Sequence, residues 1–184
     1  MEYSVVMSGF GGQGVLMMGD LLAHSAMKAG LNVTWMPSYG VEMRGGAANC
    51  TVVFSPEKIG SPIVEQPHAV LAMNLPALEK FKEQLPPGGL LLVNSTIVES
   101  VDEPRNDIET LLIPTNEVAE SVGDKKMSNM AMLGAFLGKS EVFSVDYIEE
   151  CLESFLPPAR QKLLPQFGKT LRAGANYVNG SNGS

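Results

Sequence analysis

Seven residues near the amino terminus, Ser8-Gly9-Phe10-Gly11-Gly12-Gln13-Gly14, constrain this chain more than any other stretch. They separate a short apolar run, Tyr3 to Met7, from a long helix-forming run, Val15 to Ala29. Within that run Leu16, Leu22, Ala23, Ala26 and Met27 recur at helical spacing, and Gly30 follows as a stop. Strand, glycine turn and helix in succession present bare backbone N–H groups at a helix N-terminus, which suits an anionic group, a phosphate above all. The next run, Leu31 to Met36, is β-rich, and Pro37 is expected to end it. A βαβ unit at the start predicts an α/β fold: a Rossmann-like sheet, parallel or mixed, flanked by helices, with right-handed crossovers.

The rest of the chain continues the alternation. Ala47–Phe54, Ala69–Met73, Leu90–Val93 and Thr110–Ile113 read as strands. Asn74 is a candidate cap for a helix with Pro76 in its first turn, running to about Gln84. Asn116 is expected to cap Glu117–Val122, and Ser144 to cap Val145–Phe155. Met127–Leu137 is an apolar helix expected to stop at Gly138. The segment from Ala159 to Val178 is helical with a break or kink at Pro165, and Asn-Gly-Ser-Asn-Gly-Ser after it reads as a disordered tail. Residues 1–178 are thus expected to form a single domain with a helical carboxyl-terminal part, and 179–184 the tail.

Gly9-x-Gly11-x-x-Gly14 satisfies the dinucleotide fingerprint, but that fingerprint needs an Asp or Glu about 20 residues further on, closing the second strand on the ribose hydroxyls. The second strand here ends Trp35-Met36-Pro37-Ser38, with no carboxylate. Asp20 comes too early, and Glu42 too late, followed by Arg44. The stretch that replaces the acid is a second glycine-rich loop, Pro37-Ser38-Tyr39-Gly40-Val41-Glu42-Met43-Arg44-Gly45-Gly46. Both loops follow strands of one βαβ unit, so both should open at the carboxyl edge of the sheet. The expected binding surface is therefore Gly9, Gly11, Gly12, Gln13 and Gly14 facing Ser38, Tyr39, Glu42, Arg44, Gly45 and Gly46, with Arg44 as a bidentate anion contact.

Composition narrows the chemistry. The net charge of −7 in 184 residues provides no basic footprint for nucleic acid or an anionic membrane. The two cysteines, Cys50 and Cys151, stand far apart and build neither a disulfide framework nor a thiolate metal site by themselves. Two free thiols, no signal-peptide pattern and no apolar run of membrane-spanning length lead to the expectation of a soluble, cytoplasmic protein. His24 and His68 lack ligand partners at useful spacing and read as structural, and the methionines read as adaptable core or interface. No serine, histidine and aspartate set and no carboxylate pair suggests itself, so no catalytic residue and no metal ligand is assigned. A free-standing nicotinamide- or flavin-dependent oxidoreductase and a non-enzymatic nucleotide sensor both stay open on the residues alone.

The motif Gly9-Phe10-Gly11-Gly12-Gln13-Gly14-Val15, followed by Pro37-Ser38-Tyr39-Gly40-Val41-Glu42-Met43-Arg44-Gly45-Gly46, resembles the gamma subunit of 2-oxoacid:ferredoxin oxidoreductases of the pyruvate, ketoisovalerate and 2-oxoglutarate type. Asn129-x-x-Met132-Leu133-Gly134-Ala135 is compatible with that family, and the length fits a free-standing gamma subunit. The resemblance implies an accessory subunit of an enzyme that oxidatively decarboxylates a 2-oxoacid to an acyl-CoA and reduces ferredoxin. It implies thiamine diphosphate and iron–sulfur clusters in partner subunits, none bound by this chain alone, and coenzyme A (CoA) as a substrate. The implied partners are thiamine-diphosphate-binding alpha and beta subunits and a ferredoxin-like delta subunit, with self-association when the chain is isolated. The two loops would then face a partner subunit or CoA. Among 2-oxoacids the resemblance leans toward 2-oxoglutarate or the branched-chain acids, with pyruvate and indolepyruvate open.

Overall fold

The computed structural model describes residues 2–39 and 46–181. Its order is β1 (Tyr3–Phe10), α1 (Val15–Lys28), β2 (Asn32–Tyr39), β3 (Ala47–Ser55), β4 (Ala69–Ala72), α2 (Leu75–Phe81), β5 (Leu90–Asn94), β6 (Glu109–Ile113), α3 (Thr115–Ser121), α4 (Ser128–Ser140), α5 (Val145–Phe155) and α6 (Leu164–Ser181). Two compact units partition it, Met1–Leu112 and Ile113–Ser184.

The strands form one six-stranded sheet in the order β2-β3-β1-β4-β5-β6. β1 pairs in parallel with β4, and β4 with β5. β3 runs antiparallel to both β1 and β2. The expected α/β sheet is therefore a mixed one, and its opening βαβ unit is split: β1 and β2 point the same way, but β3 lies between them. Seven positions separate Tyr39 from Ala47 in the sequence, a spacing that suits an antiparallel pair, while a parallel neighbour needs a long crossover.

β2 continues through Pro37 to Tyr39, past its expected end at Met36. It lies at the sheet's edge, where a missing N–H costs no ladder bond if it faces outward. In the register, Pro37 stands opposite Cys50. α1 covers the face that carries Met7 and Cys50, approaching so closely at Gly19 that a Cβ there would press on the Cys50 sulfur and come within 3.1 Å of Trp35 Nε1. α2 covers the opposite face, where Ala77, Leu78 and Phe81 pack on Val6, Val70, Leu91 and Val93. Val5, Met7, Leu71 and Leu92 are fully buried, each such side chain contributing about 1.5–3 kcal/mol.

In the second unit α4 and α6 cross at their glycines. A Cβ on Gly134 would lie 2.9 Å from Leu171 Cα, and one on Gly138 2.8 Å from Ala175 Cα. That contact explains why α4 does not stop at Gly138: it runs to Ser140 and ends on Glu141 in a left-handed conformation. α3 begins at Thr115 after Pro114, with no side-chain cap, so Asn116 lies inside the helix instead of capping it. Pro165 stands in the first turn of α6, preceded by a 3-10 turn, Pro158–Leu163, so it starts the helix where a kink was expected. α6 includes Asn179, Gly180 and Ser181. No helix among the described residues is long and apolar enough to cross a membrane.

Candidate functional site

β1 carries the chain to Phe10, and the turn proper is Gly11–Gly14. Gly12 (φ 95°) and Gly14 (φ 72°) adopt left-handed conformations that side chains disfavour. The Gln13 N–H closes the turn on the Phe10 carbonyl at 3.1 Å, and the Gly14 carbonyl accepts the first helical bond from Met18 N–H at 3.1 Å. No side chain caps α1, so its first-turn amides lack intrahelical acceptors.

The Gln13 side chain folds back into the turn. Its Oε1 accepts the Phe10 N–H at 2.6 Å and the Asn74 Nδ2 at 3.4 Å, while its Nε2 donates to the Met73 carbonyl at 3.1 Å. Gly9 makes the room for this: a Cβ there would lie 2.6 Å from Gln13 Oε1 and 2.8 Å from Met73 Cβ. Asn74, buried, caps α2 by accepting the Ala77 N–H at 2.9 Å. Asn94, also buried, donates to the same Met73 carbonyl at 3.3 Å, and the Met73 N–H donates to Ser8 O at 2.8 Å. The carboxyl ends of β1, β4 and β5 are thus joined by three carboxamides. At or just past the carboxyl ends of these strands three apolar side chains are exposed: Phe10 (40% exposed), which ends β1, Leu75 (48%), after β4, and Ile97 (48%), after β5.

Gly46, the described end of the second glycine-rich stretch, meets the turn at this edge. The Gly11 N–H donates to the Gly46 carbonyl at 2.9 Å. Ser38 and Tyr39, expected in the second loop, belong to β2. The register aligns Ser38 with Asn49 and Ser8, and Tyr39 with Ala48 and Gly9. Ser38 is therefore about 10 Å from Ser8, two strand spacings away. Asn49 fills the interval and accepts a short hydrogen bond from the Ser8 hydroxyl. Glu42, Arg44 and Gly45 lie outside the described residues. Gly9, Gly11, Gly12, Gln13, Gly14 and Gly46 form one contiguous group, with Ser38 and Tyr39 along the adjoining rows. Nothing local in the sequence marks Asn94, an asparagine that bonds across to a neighbouring strand end.

The groups gathered here are glycine, glutamine, asparagine and serine, none of which titrates near neutral pH. Among the described residues no cluster of three or more histidine, cysteine or carboxylate side chains is placed to hold a metal ion. His68 is at the other end of β4. Its Nδ1 accepts the Ser4 N–H at 3.1 Å, and its ring stacks on Tyr3 with centroids 4.9 Å apart. In the second unit a cavity of about 410 Å³ is lined by Leu137, Phe143, Arg172 and Asn176. Its guanidinium is already held by Asp146, at 2.8 Å, and by Glu149. The described part of the carboxyl edge presents backbone, carboxamide, hydroxyl and apolar groups.

The chain matches the family described as pyruvate ferredoxin/flavodoxin oxidoreductase over residues 4–177. It is 34% identical over 179 residues to ketoisovalerate oxidoreductase subunit VorA of Methanothermobacter thermautotrophicus. That match takes in 96% of this chain and only 36% of VorA, so the chain spans about a third of that relative's length. It is 34% identical over 168 residues to 2-oxoglutarate synthase subunit KorC of Methanothermobacter marburgensis, covering 88% of this chain and 90% of KorC. The crystal structure of a keto/oxoacid ferredoxin oxidoreductase gamma subunit from Geobacter sulfurreducens superposes with a TM-score of 0.80 at 29% identity, covering 97% of this chain and 99% of the other. A family match along nearly the whole chain, with relatives 34% identical, places this protein in the pyruvate ferredoxin/flavodoxin oxidoreductase family.

Proposed function

We propose that the chain is the accessory, gamma-type subunit of a multisubunit 2-oxoacid:ferredoxin oxidoreductase, which converts a 2-oxoacid, CoA and oxidised ferredoxin to an acyl-CoA, carbon dioxide and reduced ferredoxin. Residues 1–178 act as one domain, in keeping with a family match that runs unbroken from residue 4 to residue 177. Thiamine-diphosphate-binding alpha and beta subunits and a ferredoxin-like delta subunit supply the cofactors. Two buried cysteines fall short of the four thiolates a cluster needs. The assembly works in the cytoplasm, on a branched-chain 2-oxoacid or 2-oxoglutarate, the acids named for VorA and KorC. The relatives lend no support to a free-standing dehydrogenase or a nucleotide sensor.

One observation carries the role of the carboxyl edge. The amides of Phe10, Gly11 and Gln13 are already bonded within the chain, while the Phe10, Leu75 and Ile97 side chains, at or just past the carboxyl ends of β1, β4 and β5, are exposed. Hydrogen-bond capacity turned inward and apolar side chains turned outward favour a partner subunit as the occupant. CoA is a second occupant, favoured by the uncapped amides at the start of α1, with Arg44 as its anion contact. Co-expression with the partner subunits tests both. The chain alone is expected to show no turnover, and Arg44→Ala to raise the KM for CoA or weaken assembly by about tenfold, the scale of one lost charge-assisted contact. An Arg44→Ala complex with unchanged assembly and unchanged KM removes Arg44 from the site, and turnover by the isolated chain rejects the accessory role.

A further inference from the structure

Glycine turns ahead of helices ordinarily recruit an acceptor from outside the protein, because their amides converge on a point with nothing to bond. In this chain an internal atom already sits inside the turn. Gln13 Oε1 lies 2.6 Å from the Phe10 nitrogen and 3.4 Å from Asn74 Nδ2, in space that exists because residue 9 has no Cβ. The other end of the same carboxamide is tied to Met73 O, and the Gly11 amide is taken by Gly46 O. We infer that Gln13 is the built-in occupant of its own glycine loop, a positioning residue that takes the Phe10 amide from any outside acceptor and latches Phe10, Met73 and Asn74 into one rigid rim. The glycines then serve the glutamine instead of a phosphate: Gly9 gives it room, and Gly12 and Gly14 supply the backbone that brings it back over the turn.

The latch itself is independent of the docking role proposed above, and only its consequence for assembly rests on that reading. Amide hydrogen exchange on the full chain tests it. Gln13→Ala should speed exchange at Phe10 by about tenfold, the release expected of one lost hydrogen bond, while Val5 and Val6 in the same strand stay protected. Gly9→Ala, which pushes the carboxamide out from the other side, should do the same. Inorganic phosphate at millimolar concentration should leave the Phe10 and Gly11 amides of the native chain unchanged. Phe10 exchange within about twofold of native in Gln13→Ala overturns the inference, as does phosphate protection of those amides. Co-purification with the partner subunits separates the two readings. Assembly that survives Gln13→Ala while Phe10 loses protection leaves the latch standing and removes the rim as a docking surface.

Discussion

Cys50 lies under α1 with its sulfur 3.6 Å from the Val15 carbonyl. Burial pushes its thiol from an ordinary value of 9.0 up to about 12, outweighing the opposing bonds from Trp35 and the Gly19 backbone. Below pH 9 the thiol is protonated in the native and the unfolded chain alike, and stability is unaffected. Between about 9 and 12 the unfolded chain gives up its proton while the native one keeps it, so stability falls as pH rises. Burial raises Tyr3 from 10.0 to about 12, with the same sign in a narrower window. Cys50→Ala should lower the urea midpoint at neutral pH but flatten its decline above pH 9. An alkaline slope equal to the native one contradicts this account. Neither behaviour is legible from one lone cysteine in a sequence. The same holds for Gln13, whose inward fold depends on Met73, 60 residues away.

At the scale of elements, the sequence is most readable where the signal is local. Ser144 caps α5 as expected, its hydroxyl accepting the Tyr147 N–H at 3.2 Å, and Asn74 caps α2. It misleads where packing overrides a local rule. Gly138 has the form of a helix stop but is a contact residue, as are Gly134 and Gly174. Gly134 faces the Leu171 carbonyl and Gly174 the Ala131 carbonyl, so the two backbones touch with no side chain between them. The obstructing atoms are main chain, which has no alternative rotamer to adopt. Gly134→Ala should therefore cost about 3 kcal/mol in overpacking, the upper part of that range, against about 1 kcal/mol gained in helix propensity, a net loss of about 2 kcal/mol. Thermal unfolding followed by circular dichroism measures it, and a midpoint unchanged from native refutes the close crossing.

Across the whole molecule, strand order decides which side chains share an edge. β1, β4 and β5 are consecutive neighbours in the sheet, so Phe10, Leu75 and Ile97, at or just after their carboxyl ends, follow one another along that edge although 87 positions separate the first from the last. Leu75→Ser and Ile97→Ser, at exposed sites, should change stability by no more than about 0.5 kcal/mol. Each should weaken capture by the partner subunits by about tenfold if the row is an interface centre. Native binding by the double variant, measured on the co-expressed complex, rejects that role. The sequence by itself determined the types and order of the elements, the glycine turn that opens α1 and the kinship of the chain, because these depend on short-range periodicity, turn chemistry and contiguous motifs. Only the tertiary structure decided that β3 divides the opening βαβ unit, that the glycine turn is filled by its own glutamine, and that Gly138 continues a helix. Those outcomes depend on contacts between residues tens of positions apart, where burial and close packing outweigh the local preference of any single residue.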